Sequence, residues 1–419
     1  MIRTFLTALV LASFLLSPVL SASAATADWQ YKGASLYPTH STDFSSDNFK
    51  QSVRDLKAAN ANNVTLIIPY YQSNLYSTDI ARGWNTPTDE SLAAAIDYVH
   101  SQGMKVMLKP HLESYTYEWR ANINPGDRDT WFRNYGAMLR HYARIAQDHG
   151  VDAMCVGAEL ISMSTSTSNG DNTWRWQQMI KEVRAIYSGK LTYSANWGGY
   201  YFGDEKNHID FWGDLDYIGV SAYFNLWGDS VQSYKDAWNH WNWSDIKPLA
   251  DRVGKPVIFT EIGYRSVNGS PHQPWDYNYY TWVDPQTQAN AYEALFSYWN
   301  DHPYMTGAII WDWRTNPNEG GQGDPHYTPQ NKPAEETMRR WWAGGAVTPP
   351  PTNPGNPAFE VSGSAAPSSP NVGQNGTVSV TVKNTGSGVS NTILDIEIYK
   401  GADRVFQHIL EGQNIGSNE

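Results

Sequence analysis

The 419-residue sequence contains a single cysteine, Cys155. No intrachain disulfide can form, so stability has to come from a large hydrophobic core. Cys155 lies in an apolar, strand-like run, which points to a buried, inert thiol. Charge is also sparse: Asp, Glu, Lys and Arg make up 17% of residues against 41% hydrophobic. With 19 Trp, 26 Tyr and 12 Phe, this excludes a disordered chain, which would be highly charged and poor in aromatics. Basic residues are the scarcer sign, 30 against 42 acidic, giving a net charge of −12. Phosphate-bearing partners need a positive field, so neither nucleic acid nor an anionic membrane is expected to bind. No Gly-x-Gly-x-x-Gly follows the first strand-like run, which weakens a dinucleotide-binding fold. His-Glu-x-x-His and Cys/His clusters are missing, so no metal or other cofactor is expected. Gly-x-Ser-x-Gly is missing as well, leaving a serine nucleophile unsupported.

Long apolar runs are confined to the N-terminus. Met1-Ile2-Arg3 precedes an apolar stretch from Phe5 to Leu20, closed by Ser21-Ala22-Ser23-Ala24-Ala25. A basic start, an apolar middle and an Ala-x-Ala end describe a signal peptide over 1–24, cleaved after Ala24 or Ala25. Ser13, Ser17 and Pro18 interrupt the run, and it falls short of the ~20 residues a membrane span needs. A secreted, extracellular protein is the expectation. The aromatic excess fits that setting, because flat apolar faces with a polar edge suit sugar rings. Filling a core is the competing use of the same residues.

The sharpest composition break is 344–357, where Pro349, Pro350, Pro351, Pro354 and Pro357 alternate with Gly, Thr and Asn. Such a stretch forms neither helix nor central strand and reads as an extended linker. It separates a large domain, 28–343, from a tail, 358–419. Eight β-branched, apolar runs mark the large domain: Tyr31–Pro38, Asn63–Tyr71, Lys105–His111, Asp152–Leu160, Lys190–Asn196, Leu215–Phe224, Pro256–Tyr264 and Met305–Arg314. Helix-like stretches separate most of them, among them Asp47–Asn60, Ser91–Gln102, Trp131–His149, Trp174–Tyr187 and Thr287–Asn300. Eight strands alternating with helices over this length predict an α/β fold, a closed (β/α)8 TIM barrel. The tail has β-like runs at Thr377–Asn384 and Thr392–Tyr399 around the turn Thr385-Gly386-Ser387-Gly388. These fit a small β-sandwich module, although 62 residues fall short of the ~100 a sandwich takes. Either the module is very small or the sequence stops inside it.

Barrel enzymes carry their chemistry at the carboxyl ends of the strands. The fourth run ends Val156-Gly157-Ala158-Glu159-Leu160 and the seventh ends Thr260-Glu261-Ile262-Gly263-Tyr264. Each places a glutamate after a nearly uncharged run, where burial costs several kcal/mol unless the charge is paired or used. Three strands apart in a ring of eight, the two carboxylates face each other across the mouth. Retaining glycosidases need such a pair about 5–5.5 Å apart. Simple ion pairs at the barrel rim are the bland alternative.

These segments, with Trp311-Asp312-Trp313 and Tyr327-Thr328-Pro329-Gln330-Asn331-Lys332-Pro333-Ala334-Glu335, resemble clan A of the glycoside hydrolases, and within it glycoside hydrolase family 113. The resemblance spans about residues 30–343. It implies a retaining endo-β-1,4-mannanase with Glu159 as general acid/base and Glu261 as nucleophile. The implied partner is β-mannan or a related plant polysaccharide, and a monomer is expected. Two positions depart from the clan: Ala158 stands where most members have Asn before the acid/base, and 63–72 lacks the Arg many carry on strand two. By the same resemblance Tyr223 hydrogen-bonds the nucleophile and Trp311 is a platform beneath the sugar. The residues alone leave each of these open to a packing role.

Asn196 and Trp197 are candidates for binding hydroxyls and stacking on a ring, with a plain turn as the alternative. Lys109 and His111, with Glu113, are candidates for substrate contact or for tuning Glu159, with a structural network as the alternative. Loop aromatics Trp84, Trp119, Tyr200, Tyr201, Trp227, Trp275 and Trp282 suggest a long cleft, hence internal chain cleavage. All 19 Trp precede the linker, and the excess reads more as cleft lining than as core. Another retaining β-1,4-glycanase, acting on cellulose or xylan, is the nearest alternative, because sugar identity hinges on one or two hydrogen bonds. A non-catalytic carbohydrate-binding protein on the same barrel is the other.

Overall fold

The computed structural model describes residues 29–166, 171–198, 204–344 and four strands between 359 and 415. The expected signal peptide, the linker beyond Gly344, Tyr200 and Tyr201 lie outside the described residues. The chain divides into two compact units between Ala346 and Val347.

In the first unit eight parallel strands close on themselves: β1 (Tyr31–Leu36), β2 (Asn63–Gln72), β3 (Lys105–Ser114), β4 (Ala153–Ala158), β5 (Lys190–Asn196), β6 (Ile218–Ser221), β7 (Val257–Ile262) and β8 (Met305–Trp313). Closure is by β1, which pairs with both β2 and β8. A two-residue strand, Ala81–Arg82, adds antiparallel to the end of β2. The longer helices among the described residues are α1 (Asp47–Ala58), α2 (Asp89–Ser101), α3 (Arg128–Asp148), α4 (Thr173–Arg184), α5 (Val231–Trp241), α6 (Pro285–Trp299) and α7 (Pro333–Trp342). The architecture is the (β/α)8 barrel that the alternating runs predict. Helix starts follow local chemistry, with Ser46, Thr88, Asp127 and Asp284 side chains accepting the first free backbone N–H groups of α1, α2, α3 and α6. The fifth unit breaks the pattern. Among its described residues, β5 and β6 are joined only by short 3-10 turns, Glu205–His208 and Trp212–Asp214.

Side chains alternate across each strand, so one set faces the helices and the other the barrel interior. The interior begins with Tyr31, Met107, Ala153, Tyr217, Ile258 and Ile309, a cluster apart from the helix-facing core. Hydroxyls join strands around the ring, with Ser194 Oγ 3.0 Å from Ser221 Oγ and 2.7 Å from Thr260 Oγ1. The helix-facing core takes much of the tryptophan. Trp29, Trp131, Trp176, Trp197, Trp212, Trp238, Trp299, Trp313 and Trp342 are all buried, so nearly half of the excess packs the fold. Cys155 is fully buried, and burial pushes its thiol up to about 11.

In the second unit, β9 (Phe359–Ala366) pairs antiparallel with β10 (Thr377–Asn384), and β11 (Val389–Lys400) with β12 (Asp403–Ile415).

Candidate active site

Strand β3 shows how the interior becomes chemical. Met107, Lys109, His111 and Glu113 recur at period two on its inner face and climb from the apolar floor to the rim. Lys109 is fully buried, His111 is 1% exposed, and the Glu113 side chain is 26% exposed.

Glu261 needs a break in alternation to join them. On β7, Val220 pairs with Phe259 but Ser221 with Glu261, so two β7 residues oppose one on β6. This bulge turns Glu261 inward beside Thr260. Lys109 Nζ donates to Glu261 Oε2 at 2.7 Å and to the Thr260 carbonyl at 3.2 Å. Tyr223 donates its hydroxyl to Glu261 Oε1 at 2.7 Å. Burial first, then the charge of Glu261, hold the Tyr223 phenol well above its usual range, so it stays a donor. His111 Nε2 lies 3.9 Å from Glu261 Oε2. Burial, Arg120 and Lys109 push the His111 pKa well below its usual value, leaving a neutral imidazole. Neither ring nitrogen makes a hydrogen bond with the described residues.

Glu159 follows another irregularity. Cys155 pairs with Thr192 but Ala158 with Ser194, so β4 also bulges before its glutamate. Glu159 itself takes the left-handed region, at φ 52°, and its N–H donates to the Ser194 carbonyl at 2.9 Å. Its carboxyl receives Trp119 Nε1 at 3.3 Å and Asn196 Nδ2 at 3.5 Å, with Arg120 Nη1 3.7 Å away. Burial raises the Glu159 pKa, the nearby Glu261 charge raises it further, and Arg120 and Lys109 offset part of this. One carboxyl is thus pinned against an ammonium and a phenol, while the other is held toward its protonated form. That division of labour suits a nucleophile and an acid.

Both open onto a cleft of about 840 Å³ at the carboxyl ends of the strands. Tyr223, Asn196, Trp197, His111 and Trp311 line it with the two glutamates; Lys109 does not, and sits beneath Glu261. Trp311, the cleft-lining residue of β8 and joined to Asp312 by a cis peptide, stacks on His111 with ring centroids 5.8 Å apart. Trp197 is 5% exposed and stacked on Trp275, and Asn196 Oδ1 is taken by Gly198 N at 2.8 Å. Of the loop aromatics, Trp84, Trp119 and Trp275 line the cleft, while Trp227 and Trp282 do not. Three further positions lining the cleft had no sequence signal. Arg120 comes from a loop after β3, pairs with Glu113 and brings to Glu159 a guanidinium that β2 does not supply. Tyr37, just after β1, and Tyr71, near the end of β2, also line the cleft.

The family model of Glycoside Hydrolase Family 113 matches residues 36–332. The chain belongs to glycoside hydrolase family 113. It is a glycoside hydrolase, and the family residues enclose the whole barrel mouth from the end of β1 to the start of α7. Among solved structures, a family 113 β-mannanase from Alicyclobacillus acidocaldarius, in complex with ManMIm, is 27% identical with a TM-score of 0.66, covering 77% of this chain and 99% of that one. A second family 113 β-1,4-mannanase structure is 26% identical with a TM-score of 0.67, covering 75% and 98%. No curated protein sequence matches the chain.

Proposed function

We propose that this family 113 hydrolase is a secreted, retaining endo-β-1,4-mannanase acting as a monomer, with Glu159 as acid/base and Glu261 as nucleophile. The observation that carries the reading is the unequal setting of the two carboxyls: Glu261 against Lys109 and Tyr223, Glu159 buried and raised by its partner's charge. The solved family 113 relatives are β-mannanases, which supports mannan as the substrate. The apolar N-terminal leader supports secretion.

In the first step Glu159 gives its proton to the glycosidic oxygen while a Glu261 oxygen attacks the anomeric carbon, and the leaving sugar departs with that proton. The glycosyl ester removes the negative charge of Glu261. One cause of the raised Glu159 pKa disappears with it, so the deprotonated Glu159 is ready to take a proton from water. Water then displaces Glu261 from the anomeric carbon with net retention. Neutral His111, its ring nitrogens buried, stacks on Trp311 and supports that ring at the cleft wall. Trp311 offers a ring face beside it, and the exposed Trp84, Tyr115, Tyr117 and Tyr277 extend the cleft for an internal segment of chain.

Glu159→Gln and Glu261→Gln are each expected to lose at least roughly a hundredfold in hydrolysis of soluble mannan. Near-wild-type turnover in either would remove the assignment. Reducing-end release from mannan, glucomannan, xylan and carboxymethyl cellulose separates a mannanase from a cellulase or xylanase. Early-time proton NMR of the product anomer tests retention, with the β anomer expected first.

A further inference from the structure

Glu205 occupies one of the 3-10 turns that join β5 to β6 among the described residues. It is fully buried and is not part of the cleft wall, so it does not touch a substrate there. We propose that Glu205 is a positioning residue for Glu159, its carboxylate tying together the segments that hold the acid/base in place. The proposal rests on the reading of Glu159 as acid/base.

Three ties converge on this one side chain. Tyr193 donates its hydroxyl to Glu205 Oε1 at 2.6 Å, and the same hydroxyl accepts the N–H of Leu160, the residue after Glu159, at 2.8 Å. Ser164, at the end of the turn that follows Glu159, donates to the same oxygen. The backbone N–H of Asn196 donates to Glu205 Oε2 at 2.7 Å, and Asn196 in turn presents Nδ2 to Glu159 Oε1. Since Gly198 N already occupies Asn196 Oδ1, the amide is fixed with its NH2 toward the acid. Glu159 is thus supported from both sides of a left-handed backbone that a non-glycine residue holds only with help from its surroundings.

The anchor is itself clamped. Lys206 Nζ, with a side chain only 1% exposed, pairs with Asp204 at 2.7 Å and Asp245 at 2.8 Å, and Trp212 donates to the Lys206 carbonyl at 3.0 Å. The titratable groups facing Glu205 are Tyr193 from β5 and Glu159 from the end of β4. On its own turn Lys206 is turned to the two aspartates, and no cation pairs with Glu205 among the described residues. When ionised, Glu205 places a like charge behind Glu159 and favours the protonated acid.

The test compares two leaving groups in Glu205→Gln, which keeps the shape and can still accept from Asn196 N. On a mannooligosaccharide, whose departing sugar needs a proton, kcat/KM should fall at least tenfold. On a 2,4-dinitrophenyl β-mannoside, whose phenolate leaves without one, it should change less than about threefold. The alkaline limb of the oligosaccharide profile should move to lower pH as the like charge is lost. Tyr193→Phe, which removes the hydroxyl joining Leu160 to Glu205, should give the same split and serves if Glu205→Gln fails to fold. Equal losses on both substrates, or no loss on either, would overturn the proposal. Glu159→Gln run alongside separates the failures: if it shows no leaving-group split the acid/base reading falls, and if it alone shows one only the role of Glu205 falls.

Discussion

Lys109 illustrates how one buried residue sets the chemistry of another. It has no exposed surface, contacts Glu261 at 2.7 Å, and is the ammonium in direct contact with that carboxylate. Lys109→Met fills the space but leaves a buried carboxylate without its cation, a loss typically costing about 3–5 kcal/mol. Without that contact the Glu261 carboxylate loses the partner that holds it in place, so kcat/KM on a soluble mannooligosaccharide is expected to fall at least about tenfold relative to wild type. Glu205 affects stability rather than rate alone. Burial raises it to about 7 from 4.5, so its favourable contribution is complete below pH 4.5 and is lost as pH rises toward 7. Chemical denaturation between pH 4.5 and 7 should show wild type losing up to about 1.4 kcal/mol per pH unit relative to Glu205→Gln. A parallel course for the two proteins would count against that burial effect. Glu159, Glu261, Tyr223, His111 and Lys109 were legible in the sequence because each lies on or just after an apolar, strand-like run, where a polar side chain stands out. Arg120 and Glu205 were not, because each comes from a loop whose position depends on tertiary packing.

At the level of elements, the barrel strands and their helices follow directly from apolar periodicity and capping residues, and the positions of the two glutamates at strand ends follow with them. Their facing does not. Strands β4 and β7 carry register shifts beside their glutamates, and β8 shifts against β1 at Trp311. Strict alternation from Ile258 and Thr260 would turn Glu261 toward the helices, and nothing in the residue pattern announces the extra residue that turns it back. Gly157 belongs to the β4 irregularity. A Cβ there would stand 2.6 Å from the Tyr193 ring and 3.0 Å from Trp176, the first being the ring that bridges Leu160 to Glu205. Gly157→Ala is therefore expected to cost about 1–3 kcal/mol by overpacking. Thermal unfolding should report that loss, and oligosaccharide hydrolysis should fall more than dinitrophenyl-mannoside hydrolysis because the displaced ring supports the acid. An unchanged Tm would show that the neighbouring rings move aside freely.

Across the whole molecule, the tryptophan excess serves both uses that composition left open. Nine Trp side chains are buried, whereas Trp84, Trp119, Trp197, Trp275 and Trp311 line the cleft, Trp197 belonging to both sets. A chain that cannot form a disulfide within itself uses aromatic bulk for its core and aromatic faces for its site. The first unit also closes on itself before the proline-rich stretch. Helix α7 buries Ala334, Met338 and Trp342, the Trp342 carbonyl accepts Lys32 Nζ from β1 at 3.2 Å, and the Arg339 carbonyl accepts Asn60 Nδ2 at 3.0 Å. The end of the barrel domain is thereby fastened to its beginning by contacts that do not involve residues beyond 344. Deleting 345–419 should leave kcat/KM on a soluble mannooligosaccharide within about twofold of the full chain, and Tm within a few degrees, since it removes none of these contacts. A large loss of either would mean that the second unit completes the barrel, and the boundary between Ala346 and Val347 would not then separate independent folding units.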